Sequence, residues 1–327
     1  MENQKIDELK KGPVKPMEIW KGMTVNELVL QMGESGSFSS GTLAKATDIY
    51  ELMIKDKSFI FLALSGALVP SGLKKVIIRL IEKGWVHAIV TTGANLVHDV
   101  LELFGGKHYK GSPYIKDDLL NKVGINRIYD VFVTDDDFDK KFDKPINDIY
   151  YNIAHSRKGE ILSINEFLME IAKRLPNGSS ILKSAYLHGV KVFAPAIQDS
   201  EFGIEAVRYN RKSSEILRVD VFMDLLDIWS IREKNKKTGA IILGGGVPKN
   251  YIFQSSIFAQ DKLNYNMLDY VIQITLDRPE TGGLSGATLD EAISWGKINE
   301  VAKKVVLVSE VTLAFPIIVA ALLERFN

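Results

Sequence analysis

IILGGGVPK, Ile241 to Lys249, is the stretch that decides the fold. Three apolar residues read as a buried strand and three glycines as a turn. Pro248 then falls in the first turn of a helix reaching Phe258, where its missing N–H costs nothing. Two other stretches follow the same plan: Leu64-Ser65-Gly66-Ala67 after the apolar run Phe59–Leu64, and Thr91-Thr92-Gly93-Ala94 at the end of Ala88–Thr92. Strand, small-residue turn and helix in repetition predict a mainly parallel sheet. In such sheets ligands sit in the crevice at the carboxyl ends of the strands. Small residues let main-chain N–H groups approach a phosphate there, and the following helix start adds a favourable dipole. None of the loops is a strict G-x-G-x-x-G, because Lys249 stands where the last glycine belongs. Tight structural turns use the same residues, so the glycines alone leave both readings open. Lys249 either opposes the helix dipole beside a bound anion or is simply solvated.

Outward from these loops, strands are expected at Val131–Val133, Lys191–Phe193, Asp269–Thr275 and Val305–Val308. Helices are expected near Ser71–Lys83, Leu96–Phe104 and Val219–Arg232, with a last one running to Glu324. From Asp136 to about Leu187 the pattern is mostly helical, with a polar break at Pro176-Asn177-Gly178. No internal repeat or linker interrupts it. The expected fold is α/β: a Rossmann-like parallel sheet with helices on both faces and a helical insertion, in one domain over residues 1–327. Residues 1–20 are expected to form a mobile extension or to cover a neighbouring subunit's site.

The 327 residues are 46% hydrophobic and 25% charged, enough for a sizeable core. Forty-one basic residues balance forty-one acidic ones, which gives no electrostatic case for nucleic acid or an anionic membrane as partner. The absence of cysteine rules out disulfides, thiolate metal sites and a cysteine nucleophile, and suits a cytoplasmic location. The polar start is no signal peptide, and the apolar run Val311–Leu323 is shorter than the ~20 residues that span a bilayer. The five histidines show no metal-ligand spacing, so no metal is expected. The acids Asp135, Asp136, Asp137 and Asp139 sit at a helix start, where complementing the dipole is the simpler role than binding a cation.

The segment TGGLSGATLDEAISWGKI, Thr281 to Ile298, carries chemistry. A lysine set beside tryptophan and glycine can be partly desolvated, which disfavours the ammonium and frees the amine as a nucleophile. Trp295 can line a slot for an alkyl chain or hold a cation against its ring. Glu291 can pair with a cationic substrate nitrogen. Against this, most lysines near tryptophan are surface residues whose stems cover apolar area. Asp199, after Ala194-Pro195-Ala196, is a ribose or nicotinamide contact or an ordinary turn aspartate.

GGGVPK (Gly244–Lys249), SGATLDEAISWGKI (Ser285–Ile298) and the later Phe315-Pro316 resemble the deoxyhypusine synthase family, as do TTGANLVHD (Thr91–Asp99), GINRIYD (Gly124–Asp130) and PAIQDSEFG (Pro195–Gly203). The resemblance runs in order from about Phe59 to the end. It implies an NAD-dependent transferase of the polyamine spermidine. A hydride is removed, the chain is cleaved, and an aminobutyl group passes through an imine on a lysine to a lysine of the hypusine-carrying translation factor. It also implies a homotetramer with active sites across subunit interfaces. By position, Lys297 becomes the imine-forming lysine, with Trp295 and Glu291 in the amine pocket. The NAD-binding segments then hold Ser65, Gly66, Thr92, Gly93, Ala94, Asp199, Gly245, Ser285 and Glu310, the last in place of the family's aspartate.

Departures gather in the amine pocket. Asn250 stands where the family has a histidine, Gln254 where it has asparagine, and His98 where it has glutamate. Ile204 and Leu284 replace two acids. Either Glu201, Glu205 and Glu291 supply the charge for the substrate's ammonium groups, or the amine is another one, because burying an unpaired ammonium is costly. Two further readings therefore stay open. One is transfer of an aminoalkyl group to a small amine, as in making homospermidine from putrescine. The other is an NAD-binding homologue without catalysis.

Overall fold

The computed structural model describes residues 12–258 and 266–326. Its centre is a six-stranded, all-parallel sheet: β1 Phe59–Leu64, β2 Ala88–Thr91, β3 Lys191–Phe193, β4 Thr238–Leu243, β5 Leu268–Thr275 and β6 Ile298–Val308. The spatial order is β6-β5-β4-β1-β2-β3. The chain builds outward from β1 in one direction and then returns to build from β4 in the other. The crevice between the ends of β1 and β4 is therefore the switch point at which such sheets bind ligands.

β1 and β4 read as unbroken apolar runs because both faces of the sheet are covered. Ile60, Leu62 and Leu64 point to one side, with Ile241, Leu243, Ile272 and Ile274. The helices Phe38–Lys55, Lys74–Glu82, Gly93–Leu103 and Val311–Arg325 close over that face. Phe61 and Ala63 point to the other with Ala240, Ile242 and Val271, under the helices Met223–Lys234, Gly246–Phe258 and Leu289–Ser294.

Two expected elements differ. Val131–Thr134 is a strand, but it lies in a separate antiparallel sheet with Ile125–Ile128 and Tyr109–Lys110. Tyr129, at φ +54°, folds the two longer strands back on each other, so the local hairpin wins over the parallel sheet. Val219-Asp220 pairs with Leu162-Ser163 instead of opening a helix. The Asp220 carboxylate accepts Phe222 N–H at 2.8 Å, and the helix begins only at Met223. The middle segment is thus mostly helical but not wholly so; its helices Lys144–Ser156, Ile164–Arg174 and Ile181–Leu187 join the core of the first face. Two helices precede β1, Val25–Ser35 and Phe38–Lys55. The first starts at a capping box between Thr24 and Glu27 and is tied to the last helix by Glu324, which accepts Val25 and Asn26 N–H. Residues 12–20 form no helix or strand, and residues 1–11 of the expected extension lie outside the described residues. No described helix is long and apolar enough to cross a membrane.

Asp99, in the TTGANLVHD stretch, holds the insertion to the sheet. Its fully buried carboxylate accepts Ser180 Oγ at 2.7 Å, Ile181 N–H at 2.9 Å and Leu182 N–H at 3.0 Å, capping the helix Ile181–Leu187. Asp99→Ala strands these donors in the core and is expected to cost about 3 kcal/mol or more in a denaturant titration. A loss below about 1 kcal/mol would show that the helix start finds other partners.

Candidate active site

Lys297 is placed by a helix stop. The short helix Leu289–Ser294 starts at Thr288, whose hydroxyl accepts Glu291 N–H, and ends in a Schellman turn. Gly296, at φ +65°, donates to Ile293 O at 2.9 Å, and Lys297 N–H donates to Ala292 O at 3.0 Å. Only glycine takes that backbone conformation without strain. The residues Trp295-Gly296-Lys297 are therefore a cap, a left-handed turn and the first residue beyond, just before β6.

The side chain enters a cavity of about 170 Å³ lined by Lys249, Asn250, Leu284, Glu291 and Trp295, among others. The Lys297 Nζ lies 5.4 Å from the Trp295 ring centre and donates weakly to Asn250 Oδ1 at 3.4 Å. Burial lowers the basicity of the Lys297 amine, against the opposing pull of Glu291. Glu291 is the one carboxylate among the described residues that line this cavity. Lys249 is neither solvated nor turned toward the glycine loop's N–H groups. It is buried, and its Nζ donates to Gln273 Oε1 at 3.0 Å and Ala287 O at 2.6 Å. Burial, together with the Lys297 charge, brings its ammonium down to about 8, with Glu291 acting the other way.

Beside this cavity the strand-end loops meet. The Ser65 hydroxyl donates to Gly245 O, Gly246 N–H donates to Ser285 Oγ at 3.0 Å, and a Cβ on Gly245 would lie 2.4 Å from Ser285 Cα. The Gln273 amide ties them from below, donating to Gly244 O at 2.9 Å and Ser285 O at 2.7 Å. Gly66 and Gly246 have positive φ and nothing within 4 Å of where a Cβ would stand, so both loops open onto free space. The second pair of loops also meets: a Cβ on Gly93 would lie 2.4 Å from Ser200 Oγ, next to the exposed Asp199. Thr92 precedes and Ala94 follows Gly93 at that helix start. Glu310 caps the helix Val311–Arg325. Burial works against its charge, but bonds from Thr312 and from main-chain N–H groups including Leu313 hold the carboxylate below its usual range.

Some expected residues stand apart. His98 lines a different cavity, of about 490 Å³, with Asp143, Glu201, Ile204 and Arg208. Its ring bonds His108 at 2.9 Å, and burial with that neighbour holds it down to about 4, so it is neutral near pH 7. Glu201 lines that second cavity, whereas Glu205 is buried between Arg208 and Asn147. Gln254 sits one turn beyond Asn250 on the same helix, half-buried, and is not among the described residues lining the lysine cavity. The acids Asp135–Asp137 open a helix capped by Thr134. Gln273 and Lys249 were not singled out as a pair by sequence reasoning; a lone amide inside the apolar strand LDYVIQIT was the available signal.

The fold and this lysine cavity beside glycine loops define a class, and sequence comparison supplies the family. The sequence model of deoxyhypusine synthase matches residues 27–322. A "Probable deoxyhypusine synthase" of Methanosarcina thermophila is 44% identical, covering 96% of each chain. "Probable deoxyhypusine synthase 1" of Archaeoglobus fulgidus is 39% identical over 94% of this chain and 97% of its own. A solved structure from Entamoeba histolytica described as a deoxyhypusine synthase superposes with a TM-score of 0.67 at 22% identity, over 94% of this chain and 96% of that one. This chain belongs to the deoxyhypusine synthase family.

Glu291 raises the basicity of both Lys249 and Lys297. Glu291→Gln should therefore lower both further, and Lys297 should become reactive at lower pH. The check is site-resolved reductive alkylation of Lys297 across a pH series. An upward shift of the profile would contradict the assigned electrostatics.

Proposed function

We propose that this chain is an NAD-dependent transferase that moves an aminobutyl group from spermidine, through an imine on Lys297, to a lysine of the hypusine-carrying translation factor. The observation that carries the reading is Lys297 itself: an amine of lowered basicity in a small cavity, with Trp295 and one carboxylate beside it, next to the strand-end loops. Family membership supports the same chemistry. The dinucleotide would be held along the switch-point crevice by Ser65, Gly66, Gly245 and Ser285, by Thr92, Gly93, Ala94 and Asp199, and by Glu310 at the ribose. The open space over Gly66 and Gly246 fits that role. NAD held there would supply a hydride acceptor for the carbon beside the donor's secondary nitrogen and, at the end, a hydride donor.

The chain's own residues do the rest. Trp295 covers the alkyl chain, and Glu291 pairs with the donor's terminal ammonium. Neutral Lys297 Nζ attacks the oxidised C=N carbon; its new bond to carbon replaces the old carbon–nitrogen bond, and the three-carbon diamine leaves with the proton. The acceptor amine then displaces Lys297 by the same exchange, and reduction completes the product. By family resemblance we also read the chain as a single domain acting in a cytoplasmic homotetramer.

A second reading has its own observation. The cavity offers one carboxylate, with neutral Asn250 and Leu284 alongside, which departs from a pocket built to pair several ammonium groups of spermidine. In that case the acceptor is a small amine such as putrescine.

Incubation with NAD and spermidine, agmatine or putrescine, followed by borohydride, separates the readings. An aminobutyl adduct on Lys297 from spermidine, absent in Lys297→Ala, supports the proposal, and transfer to the translation factor or to putrescine then decides the acceptor. An adduct only from another amine favours a changed pocket. Bound NAD without any adduct overturns catalysis.

A further inference from the structure

Behind the cavity, the main chain of Lys297 is held by a buried polar chain that takes no part in lining it. The Lys297 carbonyl accepts Leu268 N–H at 3.1 Å and the Ser256 hydroxyl at 3.1 Å. The first anchor belongs to the sheet, but it is isolated: the β5–β6 register shifts between Leu268 and Tyr270, and the regular ladder resumes only at Lys303. The second anchor comes from the helix Gly246–Phe258, whose first turns bring Lys249 and Asn250 into the cavity. One helix thus touches Lys297 from two sides, at the side chain through Asn250 and at the main chain through Ser256.

Ser256 is itself fully buried and backed by Arg232, a fully buried guanidinium. Arg232 donates to Ser256 Oγ at 3.2 Å, to Thr238 Oγ1 at 2.6 Å and to Asn266 O, all neutral partners. Burial brings this guanidinium down to about 10, against the opposing pull of the nearby Asp269 carboxylate. A buried charge held by neutral groups is costly, and an apolar side chain of similar size is commonly as stable or more so. Stability alone is a weak reason for an arginine here. Its donation leaves the Ser256 proton free to point only at the Lys297 carbonyl.

We propose that Ser256, oriented by Arg232, is a positioning residue that fixes the main chain of Lys297 and so keeps its amine inside the cavity. The proposal rests on Lys297 being the reactive group but not on any particular substrate. If the anchor is lost, the lysine is free to swing toward solvent, its basicity returns toward that of an ordinary lysine, and less free amine is present at a given pH.

The test is reductive alkylation with a small aldehyde and cyanoborohydride, read by mass spectrometry at Lys297 with exposed Lys45 as internal reference. It needs neither NAD nor polyamine, so absence of a polyamine adduct would sink the transferase reading without touching this result. Ser256→Ala should slow labelling of Lys297 at least about threefold below its midpoint and move the profile to higher pH, since one pKa unit is a tenfold change in free amine. Lys45 and the thermal midpoint should stay unchanged. Arg232→Met, which removes the buried charge and is expected to fold, should shift Lys297 in the same direction, and Ser256→Thr should restore it. Wild-type labelling in both Ser256→Ala and Arg232→Met would overturn the proposal. Equal slowing by Ser256→Thr and Ser256→Ala would also overturn it, by showing that packing rather than the hydroxyl matters.

Discussion

The side chain of Gln273 is the constraint on which the functional end of this molecule depends. It sits in the middle of β5, almost fully buried, where every strand neighbour is apolar. Its amide nitrogen holds the carbonyls of Gly244 and Ser285, and its oxygen accepts the Lys249 ammonium. An unpaired amide at this depth would be strongly unfavourable, so all three partners are fixed together. The glycine loop after β4, the Ser285 loop and the wall of the lysine cavity are consequently one unit. On the proposed reading, a ligand in the crevice between β1 and β4 and a group on Lys297 would share a common frame.

Among the described residues, the wall of the Lys297 cavity carries neither histidine nor cysteine. Burial weakens the ammonium of Lys297 while Glu291 limits how far it falls. On the proposed reading, that balance would leave a nucleophile available without abandoning the attraction for a cationic substrate. The same wall sets one carboxylate beside two lysines, and Asn250 and Leu284 stand where the family resemblance places a histidine and an acid. On the proposed reading, recognition of the amine would rest on Glu291, Trp295 and shape more than on paired charges.

Much of this was legible in the sequence, and the reasons for the rest are physical. Phe59–Leu64 and Ile241–Leu243 were readable because strands covered on both faces are written as continuous apolar runs. Val131–Val133 was readable as a strand but not as part of a separate hairpin, and the helix after Val219 was started too early, because a left-handed Tyr129 and an aspartate turn act over two or three residues, below the reach of periodicity. The sequence placed Lys297, Trp295, Glu291 and Asn250 in one pocket through motif resemblance, and the folded chain brings those four to one cavity. His98 belongs to another cavity, walled by the antiparallel hairpin, the acidic turn after it and the helix Glu201–Asn210. Gln273, Ser256 and Arg232 were invisible: a polar residue in an apolar stretch signals that a partner exists, but the partner is named only by the fold.

The central claim is that a hydride leaves an amine in the same cavity in which Lys297 captures the remainder. It is tested most directly with spermidine deuterated at the carbon beside its secondary nitrogen, incubated with the protein and NAD in a single turnover. The account predicts deuterium on the nicotinamide ring and, in equal amount, an aminobutyl group on Lys297. NAD that binds but gains no deuterium, with Lys297 unmodified, would contradict it.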